Sequence, residues 1–127
     1  PTRLNCRRQR QMCIRDRGYY SFRKAWLNKR GVPEQMVLLD IFGNSMEPEM
    51  RDGDTVLVDQ SQKSILAGAI FALGIEDTIM VKRVEKHPQK LVLRSDNRDY
   101  APIYLEGQDA EQVRILGKVI WVCREIR

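Results

Sequence analysis

Two residues in this chain have side chains that could carry out chemistry together, Ser45 and Lys82. Ser45 sits in Gly43-Asn-Ser-Met-Glu-Pro48, directly after the apolar run Val37-Leu-Leu-Asp-Ile-Phe42, which reads as a β-strand. A glycine at the strand's end permits a sharp turn, and a sharp turn exposes the hydroxyl that follows. The same turn can aim neighbouring backbone N–H groups at one point, which is the geometry an oxyanion needs. Glycine–serine turns are also ordinary corners, so the turn alone does not separate a nucleophile from a structural feature.

A serine nucleophile needs a base. His87 is the sole histidine, and it precedes Pro88 in a polar stretch that reads as a hairpin turn. A buried Ser–His–acid arrangement is therefore disfavoured. The remaining base is lysine, which accepts a proton only when neutral. Bringing its pKa from about 10.4 to near 7 costs about 4 kcal/mol, and apolar burial or nearby positive charge must supply that. In Thr78-Ile-Met-Val-Lys-Arg-Val84, strand alternation puts Lys82 on one face with Met80 and Val84, and Arg83 on the other with Ile79 and Val81. Both faces are otherwise apolar, so periodicity does not choose between them. Chemistry favours the lysine, because a guanidinium stays protonated. The competing reading is two surface charges whose stems lie along the sheet.

The elements that must hold these residues are mostly strands. Tyr19, Phe22 and Trp26 fall at the spacing of one face of a short helix ending near Gly31, and Pro33 prevents its smooth continuation. Val37–Phe42, Thr55–Asp59, Ala69–Leu73, Thr78–Val84, Lys90–Arg94 and Val113–Cys123 read as strands. Asp52-Gly53 marks a tight turn, and Gly117 marks a bulge or bend in the last strand. Short strands at this spacing point to a mainly β domain of coiled sheets or a partial barrel.

At 127 residues, 43% apolar and 31% charged, the chain fits one domain able to bury a core without disulfides or metal. Its net charge of +5 is unevenly distributed. Residues 1–30 hold ten Lys/Arg and one acid, Asp16, a local balance of +9, whereas residues 31–127 hold twelve against sixteen, a balance of −4. The larger part is thus a poor general DNA binder. Residues 1–18 form a basic arm without apolar periodicity, read as disordered or non-native. Cys6, Cys13 and Cys123 are odd in number and widely spaced, and with one histidine they make no zinc quartet; they read as free thiols. No cofactor is expected. No apolar run approaches the ~20 residues that cross a bilayer, and no apolar segment follows the basic arm as in a secretory signal. The chain reads as cytoplasmic, with no membrane partner.

Gly43-Asn-Ser-Met-Glu-Pro48, Asp52-Gly-Asp-Thr-Val-Leu-Val-Asp59 and Val81-Lys-Arg-Val84 occur in that order, with Lys82 following Ser45 by 37 positions. Together they resemble the LexA/UmuD/phage-repressor serine peptidase family. Ser95-Asp-Asn-Arg-Asp-Tyr100 resembles the family's turn after the lysine, Leu116-Gly-Lys-Val-Ile-Trp121 its final strand, and Tyr20-Ser-Phe-Arg-Lys-Ala-Trp-Leu27 the helix that opens the domain in phage-type repressors. The resemblance spans residues 19–127, which it marks as a LexA-like peptidase and dimerisation domain. It implies coiled β-sheets with a partial barrel, as in LexA and signal peptidases, and one short N-terminal helix.

The resemblance further implies the C-terminal domain of a transcriptional repressor, with Ser45 as nucleophile, Lys82 as general base and the N–H groups of Asn44 and Ser45 as oxyanion hole. It implies self-cleavage of a repressor linker after Ala or Cys and before Gly, a homodimer, and stimulation by a recombinase filament on single-stranded DNA. DNA itself would be met only through a helix-turn-helix domain, for which the residues before the first helix are too few. The last strand, with Trp121 as anchor, is the candidate for part of the dimer interface. One departure stands out. Before Ser45, glycine occurs only at Gly18, Gly31 and Gly43, after Arg17, Arg30 and Phe42, so no Ala-Gly or Cys-Gly site precedes it; Ala67-Gly68 follows it. Two other readings are an idle dimerisation module and a type I signal peptidase relative, the latter through Ser-Met-x-Pro and Ser95-Asp-Asn-Arg98.

Overall fold

The computed structural model describes residues 11–15 and 19–126. Strands β1 (Gln11–Arg15) and β2 (Tyr19–Arg23) form an antiparallel pair, followed by helix α1 (Lys24–Arg30) and a 3₁₀ turn at Pro33–Gln35. Seven strands then build one antiparallel sheet in the order β3-β4-β9-β5-β6-β7-β8: β3 (Met36–Asp40), β4 (Thr55–Asp59), β5 (Ile70–Ile75), β6 (Thr78–His87), β7 (Lys90–Arg94), β8 (Ile103–Glu106) and β9 (Arg114–Cys123). A short helix α2 (Gln108–Glu111) lies between β8 and β9. The fold is mainly β, as expected, and the sheet does not close into a barrel.

The helix begins later than the aromatic spacing suggests. Tyr19–Arg23 is extended and pairs with Gln11–Arg15, so Tyr19 and Phe22 lie in a strand. Aromatic residues favour a paired strand when a partner is available, and here that partner lies within the basic arm. Gln11–Arg15 of the arm thus pair with Tyr19–Arg23, and residues 1–10 and 16–18 lie outside the described residues. Trp26 stacks on Phe22 with centroids 5.9 Å apart, and Trp121 meets Phe22 edge-on at 4.8 Å. Trp121 is partly buried and packs against the cluster of Phe22, Leu27, Met36, Leu38 and Leu57. Val122 is the exposed large apolar residue of that strand.

Helix α1 ends against β4. The Gly31 N–H donates to Leu27 O at 3.1 Å, and a Cβ on Gly31 would lie 1.7 Å from Asp59 Oδ2. Asp59 is fully buried, and it accepts from Ser61 N, Ser61 Oγ and Gln62 Nε2 at 3.0, 2.7 and 2.6 Å. Gln62 Nε2 also donates to Arg30 O at 2.8 Å, which ties the helix end to the same carboxylate. A buried charge requires such a set of donors.

Two strands change partner along their length. Arg114–Lys118 of β9 pair with β5, whereas Lys118–Cys123 pair with β4. Register slips accompany the switch, and a Cβ on Gly117 would lie 2.5 Å from Asp59 O. Gly117 is therefore needed for close approach as well as for the irregularity. In β6, Thr78–Arg83 pair with β5 and Arg83–His87 pair with β7. Lys82 stands at that switch.

Candidate active site

The turn that carries Ser45 is built by a few local constraints. Ile41 and Asp54 close the mouth of the β3–β4 connection through Ile41 N to Asp54 O and Gly53 N to Ile41 O, both 2.8 Å. Gly43 adopts φ +85°, a conformation that favours glycine, and its N–H donates to Asp52 Oδ1 at 2.7 Å. Met46 and Met50 are buried under the turn and join the cluster of Ile41, Val56, Val58 and Ala72. Asp54 is fully buried, takes two hydrogen bonds from Arg124 at 2.8 and 2.7 Å and caps Arg51 N at 2.8 Å. The Arg124 guanidinium holds its carboxyl below the usual carboxylate range. Ser45 is half-buried on this platform. Among the described residues, no hydrogen bond engages the N–H groups of Asn44 and Ser45.

Beside Ser45 lies a cleft of about 310 Å³ between the end of β3 and the start of β6, lined by Leu39–Phe42, Ser45, Met46 and Ile79–Val81. Phe42 and Ile79 form an apolar rim to it, 77% and 58% exposed.

Lys82 follows Val81 directly, and of the two basic residues on β6 it is the one that turns inward. Lys82 is 8% exposed, whereas the Arg83 side chain reaches out to Asp96, with Nε at 2.6 Å from Oδ1, and to Gly68 O. Both faces of β6 are packed: Val81 joins the Met46 cluster, while Met80 and Val84 join Phe71, Leu73 and Leu93. Burial pushes the Lys82 amine below its ordinary lysine pKa. This is the direction a base needs.

The Lys82 amine donates to Ser95 Oγ at 2.8 Å, and no hydrogen bond joins it to Ser45 Oγ. Register explains the contact. Arg83 pairs with Arg94, so one further step along the two chains sets Lys82 opposite Ser95, just past the end of β7. The turn that begins there also reaches the serine. Asn97 N donates to Ser45 O at 3.0 Å, Asn97 Nδ2 donates to Asn44 O at 2.9 Å, and the Tyr100 hydroxyl donates to Asn44 Oδ1. The Lys82 amine lies 5.8 Å from the centroid of the Tyr100 ring. Ser95–Tyr100 thus touches both Lys82 and the turn that carries Ser45. Sequence reasoning missed these roles and recorded the stretch only as a resemblance; the signal available was the β6–β7 hairpin register.

His87 sits exposed at the far end of β6, within 3.3 Å of Glu85 Oε2. Among the described residues, no cluster of His, Cys, Asp and Glu could hold a metal ion, and Cys123 is a free thiol that burial pushes up in pKa.

Comparison with known proteins bears on this geometry. Residues 7–120 match the Peptidase S24-like family. The chain belongs to that family. Among the relatives of this S24-like chain are a repressor protein CI of Enterobacteria phage phi80, 35% identical over 104 residues, and the LexA repressor of Actinobacillus succinogenes, 31% identical over 93 residues. A third is the 26 kDa repressor protein of Escherichia phage HK022, 31% identical over 102 residues. These matches cover 79%, 72% and 80% of this chain but only 43%, 44% and 43% of the relatives, so the S24-like chain spans less than half of their length.

Proposed function

We propose that this chain is the C-terminal domain of a phage-type or LexA-like repressor and a serine endopeptidase with a Ser45–Lys82 dyad. The observation that carries the proposal is Lys82 itself: a nearly buried amine, its pKa depressed, attached through Ser95 to the turn that grips Ser45. A lysine kept from water with one neutral hydrogen-bond partner is poorly placed as a structural cation and well placed as a base.

In this reading neutral Lys82 takes the Ser45 proton as Oγ attacks a peptide carbonyl. The resulting oxyanion is held by the N–H groups of Asn44 and Ser45. The Lys82 ammonium then returns the proton to the leaving amine, and water, activated by the same base, releases the acyl group from Ser45. The substrate is an extended repressor linker with Ala-Gly or Cys-Gly at the scissile bond, seated in the cleft between Phe42 and Ile79. The domain pairs as a homodimer, and DNA is met through a helix-turn-helix domain in the longer protein, with a recombinase filament on single-stranded DNA as the stimulus.

Repressor relatives favour this reading over a signal peptidase. An idle dimerisation module is the second reading, favoured by the amine's hydrogen bond to Ser95 in place of Ser45. Incubation with an Ala-Gly linker peptide at alkaline pH separates the two. Cleavage that disappears in Ser45→Ala supports the peptidase, and an uncut peptide in the presence of folded wild-type protein assigns the domain to assembly alone.

A further inference from the structure

The hydrogen bond from Lys82 Nζ to Ser95 Oγ is one of several that converge on a single tripeptide. Ser95 meets the base, Asp96 takes two hydrogen bonds from Arg83 at 2.6 and 3.3 Å, and Asn97 binds the carbonyls of Ser45 and Asn44. Arg83 is the next residue after Lys82, so its ion pair fixes the tripeptide against the strand that carries the base. The hydroxyl of Ser95 is therefore held by its two following neighbours, one on each side of the dyad.

We propose that Ser95 is a positioning residue for Lys82, its hydroxyl accepting one N–H of the amine so that the nitrogen lone pair, once free, is directed at Ser45. The inference rests on the peptidase reading and adds a residue to it. The chemistry is simple. A neutral lysine amine has two N–H donors and one lone pair, and a flexible four-carbon stem leaves their direction open. An acceptor fixed at 2.8 Å removes that freedom by engaging a donor and leaving the lone pair available. Tyr100 helps from the other side. Its ring lies 5.8 Å from the amine and its hydroxyl is bound to Asn44 Oδ1, which limits where the lysine tip can swing. Ser95 exchanges no proton with substrate in this account.

Two measurements on Ser95→Ala and Ser95→Thr test it: cleavage of an Ala-Gly peptide on the alkaline plateau, and the NMR titration of ¹³C-labelled Lys82. Ser95→Ala should lower kcat about tenfold, the loss of one hydrogen bond that orients the neutral amine, with KM changed less than about twofold. Its Lys82 midpoint should move down, because the ammonium loses an acceptor that favoured the charged form. Ser95→Thr keeps the hydroxyl and should restore both. Wild-type kcat in Ser95→Ala would overturn the proposal, as would a titration that is unmoved or raised, since lost activity would then reflect the fold of the turn. If the wild type itself does not cut the peptide, the peptidase reading fails, and the titration alone then decides the placement of Ser95.

Discussion

Replacing Lys82 with methionine should stabilise the folded domain at neutral pH while abolishing cleavage. Lys82 is 8% exposed, and desolvating an ammonium in such a setting costs several kcal/mol. Against this stand one hydrogen bond from the charged group to Ser95, worth about 1.5–3 kcal/mol, and a contact with the exposed Tyr100 ring, worth about 0.5–1 kcal/mol. The remainder is a penalty of about 1–3 kcal/mol, which a methionine of similar length removes. The pH dependence fixes the sign. Lys82 titrates lower in the folded state than in the unfolded chain, so the unfolded state holds more protons between the two pKa values. Wild-type stability therefore rises with pH through that window, and the penalty vanishes above the ordinary lysine value. Urea unfolding of both proteins from pH 6 to pH 10.5 measures the difference. The advantage of Lys82→Met should be largest at neutral pH and shrink towards pH 10.5. A methionine variant less stable at every pH, or a gap independent of pH, would refute the reasoning.

Two further substitutions separate packing from function. Gly31→Ala pushes a Cβ to 1.7 Å from the fixed Asp59 carboxylate and should destabilise the domain by about 1–3 kcal/mol in the same assay. Phe42→Ser alters a side chain that is 77% exposed at the cleft's rim, so stability should change by less than about 0.5 kcal/mol while KM for the linker peptide rises and kcat holds.

Much of the site was legible from residue types. The strand, Gly43 and the turn that carries Ser45 follow from local chemistry, and the turn has the positive φ that glycine favours, whereas Ser45 as a candidate nucleophile rested on the family resemblance. Which of Lys82 and Arg83 turns inward was not legible from periodicity, and only side-chain chemistry favoured the lysine, because β6 packs apolar residues on both faces and switches partner at Arg83. Ser95 and Asn97 required the pairing register of β6 with β7, a long-range property that alternation within one strand does not carry. Tyr19 and Phe22 have helical spacing with Trp26, yet pairing with Gln11–Arg15 makes them a strand. Strand β8 escaped notice for the opposite reason: it is a short edge strand in which Ile103, Tyr104 and Glu106 are exposed, so it lacks an alternating apolar face.

The central claim is that neutral Lys82 is the base for Ser45. Its most direct test is the rate of Ala-Gly peptide cleavage from pH 6 to pH 10.5 for wild type and Lys82→Arg. The wild-type rate should climb with pH and level off with a midpoint below about 10.4, the value of a solvated lysine, and Lys82→Arg should show no cleavage across the range. Cleavage by Lys82→Arg with the wild-type pH profile would mean that another group removes the Ser45 proton.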